Sequence, residues 1–150
     1  MGVARLDAFL RRHRRVALDT PVFIYQLENH PRYADLTDRV FSWLESAGGR
    51  AVTSTITMTE LLVQPYRDDD QRRVDEFYGL LSTYPNLEWI APSLEVATVA
   101  ARIRATHRLR TPDALQAATA VQAPVSGLIT NDSVFRRVTG LEALILDDVI

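Results

Sequence analysis

The chain has 150 residues, of which 47% are hydrophobic and 24% are charged, with a formal net charge of −2, as is typical of a single globular domain. It contains no cysteine and no lysine, which excludes disulfides, thiolate metal sites, P-loop lysines and Schiff-base chemistry. No apolar run approaches the roughly 20 residues of a membrane span and no signal peptide is present, so we expect a cytoplasmic protein with no membrane contact.

The first half of the chain alternates helix-like and strand-like patterns. Helical segments carry apolar residues every three or four positions, and the strand segments are short apolar runs that suit buried parallel strands. The predicted elements are a helix at Arg5–Arg15, a strand at Val16–Leu18, a helix that starts at Pro21, a helix at Tyr33–Ala47, a strand at Ala51–Ser54 and a helix that carries Glu60 and ends at Pro65.

The second half continues the alternation. Its predicted elements are a helix after Asp68–Asp70, a strand at Leu87–Ala91, a helix at Ser93–Arg108, a helix that Thr111 caps and that runs to Ala123, a strand at Val125–Thr130, a short helix at Ser133–Val138 and a strand at Ala143–Leu146. This order predicts an α/β fold, a three-layer α/β/α sandwich on a mostly parallel sheet of about five strands. We expect one domain over residues 1–150, with residues 1–15 as an N-terminal helical extension.

Four acidic residues fall where predicted strands end or predicted helices begin. Asp19 and Asp132 directly follow apolar strands, and Asp113 lies in the first turn of a helix. Glu60 is the only charged residue between Ala51 and Tyr66, so we expect it to avoid a solvated face. Carboxylates at the carboxyl ends of parallel strands repel each other unless cations lie between them, so the pattern predicts a divalent metal site. Taken singly, each acid also fits a structural role as a helix cap, first-turn acid or Asx turn.

The segments that carry these acids are Leu18–Tyr25, Thr55–Leu62, Pro112–Ala120 and Leu128–Asp132. Together they resemble the PIN-domain nucleases, and most closely the VapC-type toxins of toxin–antitoxin modules. The resemblance implies that the four acids are the catalytic and metal-binding residues, and that Thr20, Thr130 and Asn131 support them. Gln116 stands where many relatives have histidine.

The same resemblance implies further properties. The cofactor would be Mg²⁺ or Mn²⁺, and the reaction an in-line hydrolysis of RNA that leaves a 5′-phosphate and a free 3′-OH. The partners would be a cognate antitoxin and a second copy of the chain. Apolar residues of the early helices are predicted to form the homodimer face: Phe23, Ile24, Tyr25, Phe41 and Trp43.

Arginines precede the third acidic segment and are candidate contacts to RNA phosphates. Arg104, Arg108 and Arg110 lie just before Asp113, and the first two would share one helix face at positions i and i+4. A plain solvated face is the alternative for this set.

Three other functions compete with a toxin nuclease. A phosphatase of the haloacid dehalogenase type also opens with an aspartate after a buried strand, but Pro21 occupies the place of its second aspartate and its lysine is missing. A PIN-like binding module without activity normally lacks one of the acids, and an RNA-processing nuclease would keep all four.

Overall fold

The computed structural model describes residues 2–46 and 48–150. The predicted helix end at Ala47 and the first residue, Met1, lie outside this part. Within it the chain forms α1 (Gly2–Arg12), β1 (Arg15–Leu18), α2 (Thr20–Leu27), α3 (Ala34–Ser46), β2 (Arg50–Ser54), α4 (Thr55–Arg67), α5 (Gln71–Ser82), β3 (Leu87–Ile90), α6 (Leu94–His107), α7 (Thr111–Gln122), β4 (Gly127–Thr130) and β5 (Glu142–Ile145), with short 3-10 helices at Ser133–Arg137 and Leu146–Val149. None of the described helices is long and apolar enough to cross a membrane.

The five strands form one sheet in the order β3-β2-β1-β4-β5, and every adjacent pair is parallel. The prediction of a mostly parallel sheet is therefore confirmed. The chain builds outward from β1 in one direction through β2 and β3, and then returns to the other side of β1 with β4. In such a sheet the ligand crevice lies outside the carboxyl ends of the strands at the point where the order reverses. Here that point lies between β1 and β4.

Helices cover both faces of the sheet and give the predicted three layers. Val16 and Leu18 of β1 belong to a buried cluster with α1 to α5, while Ala17 faces a second cluster with α6 and α7. This alternation follows from the two-residue period of a strand, which sends successive side chains to opposite faces. Because both faces are covered, the central strands β1 and β4 are mostly apolar, as expected for a buried parallel sheet.

Two predicted helix boundaries near the acidic segments are wrong. Helix α4 continues through Pro65 to Arg67, because a proline in the last turn removes only one hydrogen bond and the Asp70 N–H still closes the helix by donating to the Pro65 carbonyl at 2.9 Å. Helix α7 includes Thr111 as a helical residue, and its N-cap is Arg110, whose side chain makes no capping hydrogen bond.

Helix α1 docks onto the sheet through Leu6, Phe9 and Leu10, which are all buried as their spacing predicted. At its end, the His13 ring packs 4.6 Å from the Phe9 ring and its two nitrogens lie 2.9 Å from Ser126 Oγ and 2.8 Å from Glu142 Oε1. These rings lie directly over Gly127, the first residue of β4, where only a residue without a side chain fits.

We predict that Gly127→Ala destabilises the protein by about 1–3 kcal/mol, as overpacking of a buried site does. A Cβ there would lie 2.7 Å from His13 Cγ and 2.9 Å from Phe9 Cζ, so helix α1 would have to shift. The matched control is Gly79→Ala in the interior of α5, where a Cβ meets nothing within 4 Å. That control should gain about 0.5–1 kcal/mol from helix propensity. Equal unfolding midpoints for both variants in urea would contradict the prediction.

Candidate active site

Asp19 lies at the carboxyl end of β1, beside the point where the strand order reverses. It caps α2, and its Oδ1 accepts a hydrogen bond from the Thr20 N–H at 2.9 Å. Its Oδ2 accepts from the Thr130 hydroxyl at 2.7 Å. Both carboxylate oxygens are therefore fixed, and only 6% of the residue is exposed.

Burial raises the pKa of the Asp19 carboxyl to about 7, because a charge is poorly solvated there. Hydrogen bonds from Thr130 and Thr20 lower the pKa by a smaller amount, whereas the neighbouring carboxylates of Asp113 and Glu60 raise it further. Asp19 is thus a buried acid that is repelled by two other acids.

Glu60 lies in the second turn of α4. Its Oε1 accepts a hydrogen bond from the Thr20 hydroxyl at 2.7 Å, and the Thr20 N–H donates to Asp19, so Thr20 links the two acids. The prediction that Glu60 avoids a solvated face is wrong, because the residue is exposed. The lack of charged sequence neighbours does not report burial here, because Thr59, Val63 and Tyr66 of the same helix are uncharged and also exposed.

Asp113 occupies the first turn of α7 and is partly buried. Burial is the main cause that raises the pKa of its carboxyl, the nearby Arg110 lowers it, and the carboxylates of Asp132 and Glu60 raise it again. Arg110 Nε lies 3.5 Å from Asp113 Oδ2, but the arginine side chain is 82% exposed and so offsets little of the repulsion. Asp113 therefore interacts with each of the other three acids.

Asp132 follows β4 and caps the 3-10 helix at Ser133–Arg137, where its Oδ1 accepts from the Val134 N–H at 3.0 Å. Its own N–H donates to Thr130 Oγ1 at 3.1 Å, and the Thr130 hydroxyl donates to Asp19. Thr130 is fully buried, so this single hydroxyl joins the first and last acidic segments.

Asn131 has both ends of its side-chain amide fixed. Its Nδ2 donates to the Tyr25 hydroxyl at 3.1 Å, and its Oδ1 accepts from the Asp147 N–H at 2.9 Å. Tyr25 stacks on Tyr33 with ring centroids 4.2 Å apart, and the Tyr33 hydroxyl donates to Asp147 Oδ1 at 2.6 Å. Asn131 thus anchors the segment that carries Asp132 to α2 and to the C-terminal 3-10 helix.

The donor chemistry of this cleft fits a hard divalent cation, because all the candidate ligands are carboxylate or hydroxyl oxygens. The pKa of Asp19 is raised mainly by burial and further by two neighbouring carboxylates, and a bound cation would offset both effects. Across residues 2–46 and 48–150, however, no group of three or more acidic or histidine side chains is already arranged to hold a metal ion. Glu60 and Asp132 are exposed, so their side chains have room to move toward a cation.

The predicted arginine cluster is only partly assembled. Helix α6 ends at His107 and Arg108 adopts a left-handed conformation with φ of 58°, so Arg104 and Arg108 do not share a helix face as predicted. Arg104 Nε donates to the Leu109 carbonyl at 3.0 Å and braces this turn. Arg110 is the member that lies beside an acid of the site.

Two threonines to which no sequence motif assigned a role, Thr53 and Thr57, are buried next to the site. Thr57 Oγ1 lies 2.7 Å from Thr53 Oγ1 and accepts from Gln116 Nε2 at 2.6 Å. Their spacing offered a signal, because Thr57 precedes Glu60 by three residues and Gln116 follows Asp113 by three, which places each one turn from an acid on the same helix.

A family model for the PIN domain matches residues 16–141. The chain belongs to the PIN domain family. This excludes the dehalogenase-type phosphatase, and it confirms the resemblance that the acidic segments carry. Helix α1 lies before the matched residues. A comparison with curated proteins finds no match.

Solved structures share the fold at low sequence identity. A DNA-bound VapBC from Salmonella typhimurium is 22% identical, with a TM-score of 0.69 over 88% of this chain and 98% of that one. A VapBC2 from Rickettsia felis, bound to a DNA fragment from its promoter, is 18% identical, with a TM-score of 0.67 over 87% and 98%. A toxin–antitoxin complex from Klebsiella pneumoniae is 23% identical, with a TM-score of 0.63 over 87% and 97%.

We predict that Asp19→Asn stabilises the metal-free protein at pH 8. The folded-state pKa of Asp19 is raised from 3.8 to about 7, so its contribution to stability is fully present below pH 3.8 and is lost as the pH rises to about 7. As the pH rises through this window, the free energy of unfolding of the asparagine variant should therefore increase relative to that of wild type, by an amount on the order of a few kcal/mol. Urea unfolding at pH 4, 6 and 8 in EDTA measures the difference.

Asp7→Asn is the control for this experiment. Its side chain pairs with Arg39, which lowers the pKa of Asp7 from 3.8, so the stability that this pair contributes is lost only as the pH falls below that value, and this variant should be less stable than wild type by a nearly constant amount at pH 4, 6 and 8. An Asp19→Asn protein that is less stable than wild type at pH 8 would show that the ionised Asp19 carboxylate stabilises the fold as a helix cap.

Proposed function

We propose that this protein is an Mg²⁺- or Mn²⁺-dependent endoribonuclease that hydrolyses RNA phosphodiester bonds. The observation that carries the proposal is the convergence of four acids at the reversal point of the sheet. Thr20 links Asp19 to Glu60, and Thr130 links Asp19 to the backbone of Asp132. The carboxylates of Glu60 and Asp132 raise the pKa of Asp113, which in turn raises the pKa of the buried Asp19. Membership of the PIN domain family supports nuclease activity in general. The identity of the ion and the choice of RNA as the substrate go beyond what family membership supports.

The four acids would hold the cation, with Asp19 as the fixed ligand and the exposed Glu60 and Asp132 adjusting to it. When bound, a divalent cation would polarise the scissile phosphate and lower the pKa of a nearby water. Thr20 holds Oε1 of Glu60 and leaves Oε2 free to accept a proton from the attacking water. The water oxygen bonds to phosphorus, the bond from phosphorus to O3′ breaks, and O3′ takes a proton from solvent. The products carry a 5′-phosphate and a 3′-OH.

Arg110 is the best placed contact to the RNA backbone. Its guanidinium lies beside Asp113 and is 82% exposed, so it can leave the carboxylate and pair with a phosphate. Arg104 and Arg108 are exposed on the turn before it and would add a weaker attraction.

We predict that EDTA abolishes RNA cleavage and that added Mg²⁺ or Mn²⁺ restores it.

Asp113→Asn should remove activity without loss of stability, because it deletes a charge from a repelling cluster. Asp75→Asn is the control, since Asp75 is exposed on α5 and bonds only Gln71 of its own helix. Cleavage of an end-labelled RNA, with analysis of the product ends, measures this. Full activity in excess chelator, or cyclic phosphate ends, would reject the proposed chemistry.

We propose that the nuclease is the toxin of a toxin–antitoxin pair. The proteins of similar fold from Salmonella typhimurium and Rickettsia felis are described as VapBC, and that from Klebsiella pneumoniae as a toxin–antitoxin complex, which supports this assignment. An RNA-processing nuclease is the alternative and would show activity without growth arrest. A PIN-like binding module would bind RNA without cleaving it.

The antitoxin site we propose is a groove beside α2 that ends at Glu60. Its walls are largely apolar and carry Ile24, Leu27, Leu61, Pro65 and Phe77. An extended apolar segment of the antitoxin would fill this groove, and an Arg or Lys that follows it would reach Glu60, Asp19 and Asp113. A guanidinium suits this position because it pairs with carboxylates and competes with metal.

We predict that substitution of that basic residue in the antitoxin restores RNA cleavage in the complex while binding is retained through the apolar anchors. Substitution of an anchor should instead weaken binding itself. The measurements are the dissociation constant and the cleavage rate of each reconstituted complex. If no basic residue of the tail restores cleavage when replaced, the antitoxin blocks access of RNA without entering the acidic site.

We also propose a homodimer, but on a different surface from the one predicted. Phe23 and Phe41 are buried in the core, and Ile24, Tyr25 and Trp43 pack against it. Helices α4 and α5 instead carry a group of exposed apolar residues, namely Val63, Tyr66, Tyr78 and Leu80. Light scattering should give twice the mass of one chain at micromolar concentration, and Tyr78→Glu should lower it. A single-chain mass for the unchanged protein would reject the dimer.

A further inference from the structure

Three buried side chains form a continuous chain of hydrogen bonds beneath the acidic cleft. Gln116 Nε2 lies 2.6 Å from Thr57 Oγ1, Thr57 Oγ1 lies 2.7 Å from Thr53 Oγ1, and Thr53 Oγ1 lies 2.8 Å from the Leu18 carbonyl. The exposed fractions of Gln116, Thr57 and Thr53 are 3%, 0% and 1%. We call these three residues the polar chain.

The direction of every bond in the polar chain is fixed. A carbonyl only accepts, so the single hydroxyl hydrogen of Thr53 goes to Leu18. Thr57 must then donate to Thr53, and its oxygen accepts from the Gln116 amide. The Thr20 hydroxyl, which lies 3.4 Å from Thr57 Oγ1, keeps its hydrogen for Glu60 at 2.7 Å.

The polar chain contacts three of the acidic segments, in each case at a residue that lies next to the acid in the sequence or one helix turn from it. Leu18 precedes Asp19 in the sequence, Thr57 lies one turn before Glu60 on α4, and Gln116 lies one turn after Asp113 on α7. Helices α4 and α7 belong to opposite layers of the sandwich. The bond from Gln116 to Thr57 therefore joins the two layers directly at the edge where the acids meet.

We propose that Thr57 and Gln116 are positioning residues that set the separation of Glu60 and Asp113 and so prepare the cleft for a divalent cation. This inference deepens the proposed function and rests on it. The two acids repel each other, so without a link between α4 and α7 their helices would relax apart. Displacements of about 1 Å in a catalytic arrangement reduce rates by about a hundredfold. A directional bond between buried groups resists that displacement because breaking it leaves polar atoms unsatisfied.

Four single variants, and the double variant that combines Thr57→Val with Gln116→Met, test the proposal. Thr57→Val removes the hydroxyl and keeps the shape, Thr57→Ser keeps the hydroxyl, and Gln116→Met removes the amide donor at similar size. Thr119→Val is the matched control, because Thr119 is 1% exposed on the same helix as Gln116 but its hydroxyl bonds only the Leu115 carbonyl of that helix. The readouts are thermal unfolding, Mn²⁺ affinity by calorimetry without RNA, and kcat and KM on RNA.

We expect Thr57→Val and Gln116→Met each to weaken Mn²⁺ binding and lower kcat by about tenfold or more, the usual effect of losing a supporting hydrogen bond in a metal site, with little change in KM. Because both variants break the same chain, the double variant should lose little more than either one alone. Thr57→Ser should recover most of the affinity, and Thr119→Val should keep it even if its melting temperature falls.

Three outcomes would overturn the inference: wild-type Mn²⁺ affinity in Thr57→Val, no recovery in Thr57→Ser, or an equal loss in Thr119→Val. The reference for each comparison is the unsubstituted protein, provided that it binds Mn²⁺ and cleaves RNA. If the unchanged protein does neither, the proposed function itself fails, and that result is distinguishable because it does not depend on any variant.

Discussion

The site depends on one constraint: Asp19 is held in the protein interior with both carboxylate oxygens fixed while other acids surround it. Thr20 N–H and the Thr130 hydroxyl hold it in place, but neither brings a positive charge. Burial is the main cause that raises the pKa of Asp19 to about 7, and the neighbouring carboxylates of Asp113 and Glu60 raise it further. A cation that bound there would stabilise the folded state, because a ligand that binds only the folded protein shifts the folding equilibrium toward it.

Buried hydroxyl and amide groups give this repulsive site its rigidity. Thr130 joins the first and last acidic segments, Thr20 joins Asp19 to Glu60, and the polar chain joins α4 to α7 across the end of the sheet. No buried side-chain nitrogen or oxygen in the described residues lacks a hydrogen-bond partner. Because satisfied polar networks rigidify an interior, the acids are supported from below while their open sides remain accessible.

Much of the fold could be predicted from local sequence patterns. Short apolar runs gave the parallel strands, and the acids Asp19 and Asp132 marked strand ends because the same side chains cap the elements that follow. Among the predictions that were wrong, two have the same physical reason. Pro65 did not end α4, and Phe23 and Phe41 are core residues and not a dimer face, because propensity and apolar character do not say how far packing extends.

The sequence by itself determined the strand and helix alternation, the four acidic segments and the family resemblance, since each depends on residue type at short spacing. Only the tertiary structure decided how these segments meet. The strand order placed β1 next to β4, which brought Asp19 and Asp132 to one edge. The Gln116–Thr57 bond spans 59 positions of sequence. Periodicity reports which face of an element is buried, but contacts between distant elements depend on packing, which no local pattern encodes.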